Sequence, residues 1–594
     1  MRKSRYILLL AVLGLSSCLK NYEETSFSPE PAVISWSESS LQVGNDAGEF
    51  EVTLHSNLPW RAVSDAPWLS VTPSRGLGDA VLTVKVAKNR TVEERSGTLR
   101  VIVTEDQFSD FPVLQAASAG GDSSIYYVRQ NGDETASGLS WTSATTLAHA
   151  MDMAGDGDVI YVAAGVYAPE AFLENADGTD PCDKTFQLHS NFTLQGGFPA
   201  TADDASFDPV ADYDPSVNVT TLSGTLDGGK QSYHVVTVSA AKVADKKVVL
   251  KGFTVTGGLT GGEALKESFV EAGSGRFSRA YGAGLNVGPS VLSIEDCIIA
   301  ANTANLNAAG AYFNPKSEVY MSDCRVVGNE TKGNAGGIWN CGGTLYMNRC
   351  SVSDNRADGQ AAGFYSINSE GAPSVSRIYN STFSGNDCTA KDGRSGGGAY
   401  IREWSDAVFV NCTFYGNKAA NGAGIQGYGG NGKNSTLTMI NCTLTGNSAT
   451  LLGGGISLWN NYNTTHIYNC IVSGNQSLNG PDIGYGSSIG SNVPNLFYTT
   501  SIIGNALYAD TDSPVGGWSF DAATMLSAFG LWGGKTQTCS LVEGESNPAC
   551  SQGMGKEALV TLGAGFSPAV EASVFDTDQR GVARSKDTIG STTL

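Results

Sequence analysis

The sequence predicts an all-β protein, a small Ig-like β-sandwich followed by a long solenoid of parallel strands. Three observations carry that expectation. The chain has 594 residues, of which 73 are glycine, and only 16% of it is charged, a turn-rich composition too apolar for disorder. A small residue followed five positions later by Asn recurs seven times, every 26 to 31 residues, the period of one coil of a stacked repeat. Ahead of these repeats the chain alternates apolar and polar residues in short runs such as EFEVTLHS and AVLTVKVAK, the mark of half-buried antiparallel strands.

The first residues, MRKSRYILLLAVLGLSSC, give a basic start, an apolar run and small residues before Cys18. They form an export signal over residues 1–18. The ending Leu15-Ser16-Ser17-Cys18 resembles a bacterial lipobox, which implies that Cys18 becomes the lipidated first residue. Residues 19–32, polar and proline-containing, have the composition of a tether. No later run is apolar and long enough to span a bilayer, so the expected location is the outer membrane at the cell surface, with the membrane met through the lipid alone. A formal net charge of -21 argues against nucleic acid as a partner, since phosphates would meet a repulsive field. A monomer is expected.

Residues 33–117 form the sandwich. Their landmarks, Leu58-Pro59-Trp60, Trp68-Leu69, Pro73, Gly76, Asn89, Arg95 and Leu114-Gln115, resemble in order the BACON domain of Bacteroidetes. The resemblance implies attachment to a glycan-active protein. Trp60 and Trp68 have faces that match the apolar side of a pyranose, but in so small a module large aromatics belong first to the core.

Residues 124–535 form the solenoid with its N-terminal cap. The cap is expected as a strand at YYVRQNG, a short helix with Leu147, Ala150 and Met153 at helical spacing, and a buried strand in DGDVIYVAAGVYAP. The repeat anchors are Cys297, Cys324, Cys350, Ser381, Cys412, Cys442 and Cys470, matched by Asn302, Asn329, Asn355, Asn386, Asn417, Asn447 and Asn475. Aliphatic or aromatic residues stand three before and two after each anchor and point inward. The residue between anchor and second column, as in Thr382, Thr413 and Thr443, is mostly polar and points outward. Immediately before the anchors stand Asp296, Asp323, Arg349, Asn380, Asn411, Asn441 and Asn469, mostly residue types that tolerate the left-handed backbone of a corner. Stacked in register, such coils make a right-handed parallel β-helix, a pectate-lyase-like solenoid. Ladder cysteines at the strand spacing are too far apart for an unstrained disulfide and fill space as small apolar groups.

The Gly-Asn and Gly-Gly-Ile alternation is similar to the repeats of chlamydial polymorphic outer-membrane proteins. The longer series VAAGVYAP, GGFPA, TLSGTLDG, YHVVTV, GFTVTGG, GGKTQT, FSPAVEAS and DTDQRGVAR resembles surface β-helix proteins of the choice-of-anchor Q group, which implies a closing segment over residues 536–594. The tail departs from that pattern at Glu571-Ala572-Ser573.

Chemistry is sparse. Only five histidines occur, none in a cluster, and the strings that mark polygalacturonases and pectate lyases are absent. The best catalytic candidate, the loop with Asp387, Lys391, Asp392 and Arg394, reads first as a solvated charged loop. Asp203, Asp204, Asp208 and Asp212 are weak candidates for calcium, the one cofactor in view. Cys539 and Cys550 are the most plausible disulfide by proximity, with Cys182, Cys341 and Cys388 left open. The strongest candidate site is a row on the second strand of four consecutive rungs, Tyr312, Trp339, Tyr365 and Tyr400, expected to form an outward ridge about 15 Å long that binds glycans. The expected function is a non-catalytic adhesin or scaffold that binds glycans or host and cell-surface glycoproteins. A polysaccharide lyase or glycosidase, and a purely structural stalk, are the alternatives.

Overall fold

The computed structural model describes residues 32–66, 68–89, 94–104, 106–117, 123–368, 373–430, 432–460, 462–486, 495–504, 519–585 and 587–593. They fall into two compact units that divide at Gly120. Cys18 and the rest of the leader lie outside the described residues.

The first unit is a sandwich of a four-stranded and a five-stranded sheet. Alternation along Gly48–Ser56 and Ala80–Val86 turns Val52, Leu54, Leu82 and Val84 inward, against Leu99, Val101, Phe111 and Val113 of the other sheet. The ordered landmarks acquire physical reasons here. Trp60 is buried and its Nε1 donates to the Gly78 carbonyl at 2.8 Å. A Cβ at Gly76 would lie 2.5 Å from the Trp60 ring, and one at Gly97 3.0 Å from that of Trp68. Arg95 lies over the Trp68 ring at 4.4 Å while its Nε donates to Gln115 Oε1 at 2.9 Å. Fully buried Gln115 in turn donates to the carbonyls of Asn45, Asp46 and Ala87. Tryptophan, glycine and arginine are therefore partners in packing one small core.

The second unit coils. Each rung contributes one strand to each of three parallel sheets, of 12, 11 and 10 strands. The strands Thr344–Asn348, Ser351–Ser353 and Phe364–Ser366 make one such turn. At the start, the helix Leu147–Met153 is N-capped by Thr146 and buries Leu147, Ala150 and Met151, with Met153 only half-buried. All three inward columns join one continuous core running from Tyr126 to Ile503.

The corner before each anchor is left-handed, with φ from 49° to 57° at Asp296, Asp323, Arg349, Asn380, Asn411, Asn441 and Asn469. The Asn column is a hydrogen-bonded ladder. Each Nδ2 donates to the next rung's Oδ1, from Asn302 to Asn329 at 3.0 Å through to Asn447 to Asn475 at 2.8 Å. That same Oδ1 also accepts the preceding Asn's backbone N–H, as at Asn355 to Asn386, 3.1 Å. Direction follows from this chemistry, because each amide gives forward and receives from behind. The last place needs only an acceptor, and Asp482 supplies it to Asn475 at 2.9 Å. Glycine is needed alongside: a Cβ at Gly363 would meet the Gly398 carbonyl at 2.4 Å and Asn386 at 3.0 Å.

Thr382, Thr413 and Thr443 point out of the coil, yet they are buried. The C-terminal segment, residues 519–593, runs as a strap along this flank. Gln579 donates to Thr382 Oγ1 at 2.8 Å and accepts from Thr413 Oγ1 at 2.7 Å, and Ser591 N donates to Thr443 Oγ1 at 3.0 Å. Phe529 stacks on Tyr415 at 4.3 Å. Arg377, fully buried on the outer face of the first sheet, donates to Asp406 at 2.8 Å and to the carbonyls of Ser567 at 2.7 Å and Pro568 at 2.9 Å. Alternation assigns a residue to the inside or the outside of the coil, and the strap then covers part of the outside.

Candidate functional site

The aromatic row stands in register across adjacent strands, Tyr312 beside Trp339, Trp339 beside Tyr365, and Tyr365 beside Tyr400. Ring centroids are 5.7, 4.8 and 5.5 Å apart in that order. The expected open ridge of four is nevertheless corrected: Tyr365 is 2% exposed and Tyr400 7%. The turn leading into each of these strands folds back over the row. Ala335 and Ala361 take left-handed φ of 62° and 60° and pack with Tyr365, Tyr400, Ile367 and Tyr428. Arg402 seals the same end, its Nη1 donating to the Tyr365 hydroxyl at 3.0 Å and its guanidinium lying over Tyr428 at 5.3 Å.

At the other end the row stays half-open and gains a member. Tyr281, half-buried like Tyr312 and Trp339, lies 5.4 Å from the Tyr312 ring and 6.2 Å from that of Trp339. The Trp339 indole N–H is buried with no acceptor among the described residues, a cost of about 1–3 kcal/mol that Phe at this position would avoid.

A polar row runs beside the rings. Tyr281 heads the column just before the small-residue turn, which continues Asn307, Asn334, Gln360 and Ser395. The Asn307 oxygen accepts the Asn334 backbone N–H, the Asn334 oxygen accepts that of Gln360, and the Gln360 oxygen accepts that of Ser395, each at 2.8 Å. With their oxygens so fixed, half-buried Asn334 and Gln360 donate from their NH2 groups to no acceptor among the described residues. Sequence reading missed both Tyr281 and this column, although both are legible from the register of the glycine turns.

The other candidates disperse. Asp203 accepts from Ser206 and Ala205, Asp204 from Thr142 and Trp141, and Asp208 from Val210 and Ala211. Those hydrogen bonds hold all three carboxyls below the ordinary range. Asp212 accepts the Asp208 N–H at 2.9 Å. The four carboxylates thus staple their own loop over the Trp141, Phe198 and Phe207 rings and do not fit calcium. Among the described residues no group of three or more His, Cys, Asp or Glu is placed to hold a metal ion. Nor is the expected disulfide made: Cys539 is a free, buried thiol, and Cys550 Sγ lies 3.6 Å from the Val542 carbonyl. Both pack as small groups in the C-terminal segment, against Ile471 and Ile502 of the coil. Asp387 caps Thr389 at 2.8 Å, Lys391 lies 3.8 Å from Asp358, and Asp392 is exposed. The Arg394 Nε is buried without a partner among the described residues.

Near Tyr281 lies a buried polar knot. Arg279 grips Asp183 through Nε at 2.7 Å and Nη2 at 2.6 Å. His234, 4% exposed, places Nδ1 2.9 Å from the Gly282 carbonyl, so Nδ1 carries the proton of a neutral ring. Burial pushes its pKa down to about 4. The unfolded chain binds this proton below about 6.5 and the native chain does not until about pH 4. Stability from this site is therefore full above pH 6.5 and is lost as pH falls to 4, by about 3 kcal/mol. In thermal melts across that range, His234→Gln is expected to flatten the pH slope relative to the parent.

Comparison with known proteins defines the class. Residues 33–118 match the family model of the viral BACON domain, and residues 338–502 that of the right-handed beta helix region. The chain carries a BACON domain and a right-handed parallel β-helix. No curated protein sequence matches it. Among solved structures, pectate lyase Pel9A is 15% identical with a TM-score of 0.39, over 64% of this chain and 80% of that one. A rhamnogalacturonan lyase is 12% identical with a TM-score of 0.30, over 68% and 92%. The Bacteroides ovatus GH5 xyloglucanase in complex with a XXXG heptasaccharide is 14% identical with a TM-score of 0.14, over 29% of this chain and 38% of that one.

Proposed function

We propose that this protein is a non-catalytic glycan-binding scaffold, tethered to the outer membrane through lipid on Cys18 and presenting its binding face at the cell surface as a monomer. One observation carries the reading: Tyr281, Tyr312 and Trp339 form a contiguous, half-buried aromatic cluster, with Tyr312 and Trp339 edge to face, beside the amides of Asn334 and Gln360. Ring faces meet the apolar sides of pyranoses while amides meet their hydroxyls. Two strand spacings, about 10 Å, suit about two sugar residues. No helix among the described residues is long and apolar enough to cross a membrane, which is compatible with a lipid tether.

The test is a glycan array probed with the full-length protein and with Tyr312→Ala/Trp339→Ala. The parent is expected to bind a restricted glycan set and the double variant to lose at least tenfold in affinity for it. Equal binding by the two would remove the ridge from the account. Release of reducing or unsaturated ends from the bound glycan would overturn the non-catalytic assignment.

A further inference from the structure

The two outer faces of the sandwich unit are unlike. On the four-stranded sheet, Glu49, Glu51, Thr53, Thr83, Lys85 and Ser70 point outward. That face is mostly polar, and Lys85 is matched by Glu49 at 2.9 Å. On the five-stranded sheet one outward row crosses four strands in register, Arg75 opposite Arg61, Arg61 opposite Ile102 and Ile102 opposite Phe108. The next row sets Val63 beside Arg100 and Arg100 beside Asp110. Leu77, Phe108 and Val63 stand exposed on this face, at 74%, 48% and 40%.

Charge on the second face is unbalanced. Arg100 is held by Asp110 at 2.7 and 2.8 Å and lies over the Phe108 ring at 4.2 Å. Arg61 and Arg75 are exposed, and neither has a carboxylate at ion-pair distance among the described residues. Two further acids, Asp65 and Asp106, stand in turns beyond the strand ends, and Asp65 accepts the Thr98 N–H at 2.6 Å. Like charges directly opposite on a sheet repel, so the Arg61 and Arg75 pair is unfavourable until an anion lies across both. Arginines interleaved with exposed apolar side chains match the headgroup layer of an anionic bilayer, where guanidiniums meet phosphates and apolar tips meet the acyl boundary. A soluble anionic sugar would satisfy the arginines and leave Leu77 and Val63 in water. Fourteen residues separate Cys18 from Val33, a reach of at most about 50 Å, so a lipid on Cys18 keeps this face beside a bilayer.

We propose that the outer face of the five-stranded sheet docks on an anionic lipid surface, with Arg61 and Arg75 on headgroup phosphates and Leu77, Val63 and Phe108 toward the acyl boundary. Proximity to the bilayer rests on the lipid tether proposed above, whereas the charge and apolar character of the face do not.

Vesicle co-sedimentation of the chain from Leu19 to Leu594 tests it, because this chain lacks the lipid site and binds only through its own surface. The probes are vesicles of phosphatidylcholine alone and of phosphatidylcholine with about one-third phosphatidylglycerol. Partition onto the anionic vesicles is expected to be at least tenfold stronger, each arginine near the surface contributing about a factor of five. It should fall as salt rises from about 50 to 300 mM, because exposed ion contacts are screened. Arg61→Gln/Arg75→Gln should bring it down to the level of neutral vesicles. Lys85→Gln/Lys88→Gln, an equal change of charge elsewhere on the sandwich, should leave it unchanged. All four side chains can be exchanged without touching the buried core. Lipid on Cys18 is read separately, from the mass of the mature N-terminal peptide, so failure of the tether and failure of the face are different results. Equal partition onto the two vesicles, parent-like partition of the arginine variant, or an equal loss in the lysine variant would each overturn the proposal. So would tighter arginine-dependent binding of soluble trigalacturonate, which assigns the face to a sugar, or an arginine-dependent dimer in sedimentation equilibrium, which assigns it to a second copy.

Discussion

Asn386→Ala is expected to destabilise the middle of the solenoid by about 4 kcal/mol. The substitution removes one acceptor that serves two donors, the backbone N–H of Asn355 at 3.1 Å and its Nδ2 at 3.0 Å. It also removes donors to the Val352 carbonyl and to Asn417 Oδ1, both at 2.9 Å. Every group involved is fully buried, so water does not replace what is lost, and each stranded donor costs about 1–3 kcal/mol. Asn386→Asp is expected to fail differently: both accepted bonds survive, both donated bonds are lost, and a charge enters a site with no counter-ion among the described residues. Coils communicate only with their neighbours, so the damage is local at first. Native-state hydrogen exchange should show faster exchange at Asn355, Asn386 and Asn417, with the cap strand Val159–Ala163 unchanged. Arg325→Gln, at an exposed position on the same flank, is expected to leave exchange and melting temperature within error.

Arg377→Ala has the second large effect. Its guanidinium, wholly inaccessible, ties the first sheet to the strap through two strap carbonyls and pairs with Asp406. Asp406 is 29% exposed and rehydrates when its partner goes, so the cost falls on the two strap carbonyls left without a donor, about 1–3 kcal/mol each. The loss falls on docking of the strap rather than on the coil. Residues 519–593 should become protease-sensitive and exchange quickly while the Asn ladder stays protected. Gln579→Ala is expected to act in the same direction, because that amide bridges Thr382, Thr413 and Thr536. Loss of ladder protection in Arg377→Ala would contradict a strap that docks on an already formed solenoid.

The coil was legible because a one-residue slip would move every inward column to the outside. That constraint wrote the Cys, Asn and aliphatic columns into the sequence at fixed spacing, corners included. Cover was not legible from alternation. Thr382, Thr413 and Thr443 alternate outward as truly as Arg325 does, and the difference is the strap lying over them. Tyr365 and Tyr400 alternate outward like Tyr312 and Trp339, and the difference is the cover of Arg402, Ile367 and Tyr428 at one end of the row. Asp203 and its neighbours looked like cation ligands because acid-rich loops and capped loops share a composition. Only their donors, Ser206, Thr142 and Val210, distinguish the two. The Tyr281 and Asn334 column was written in the sequence but sat in the turn, where attention to strand periodicity passes over it.

The most direct test of the account is the structure of the protein bound to the best ligand from the glycan array. The account predicts a pyranose stacked over Tyr312 and Trp339, with hydroxyls on the Asn334 and Gln360 amides and the Tyr365 end still closed by Arg402. A ligand bound only elsewhere, with those ring faces bare, would contradict it.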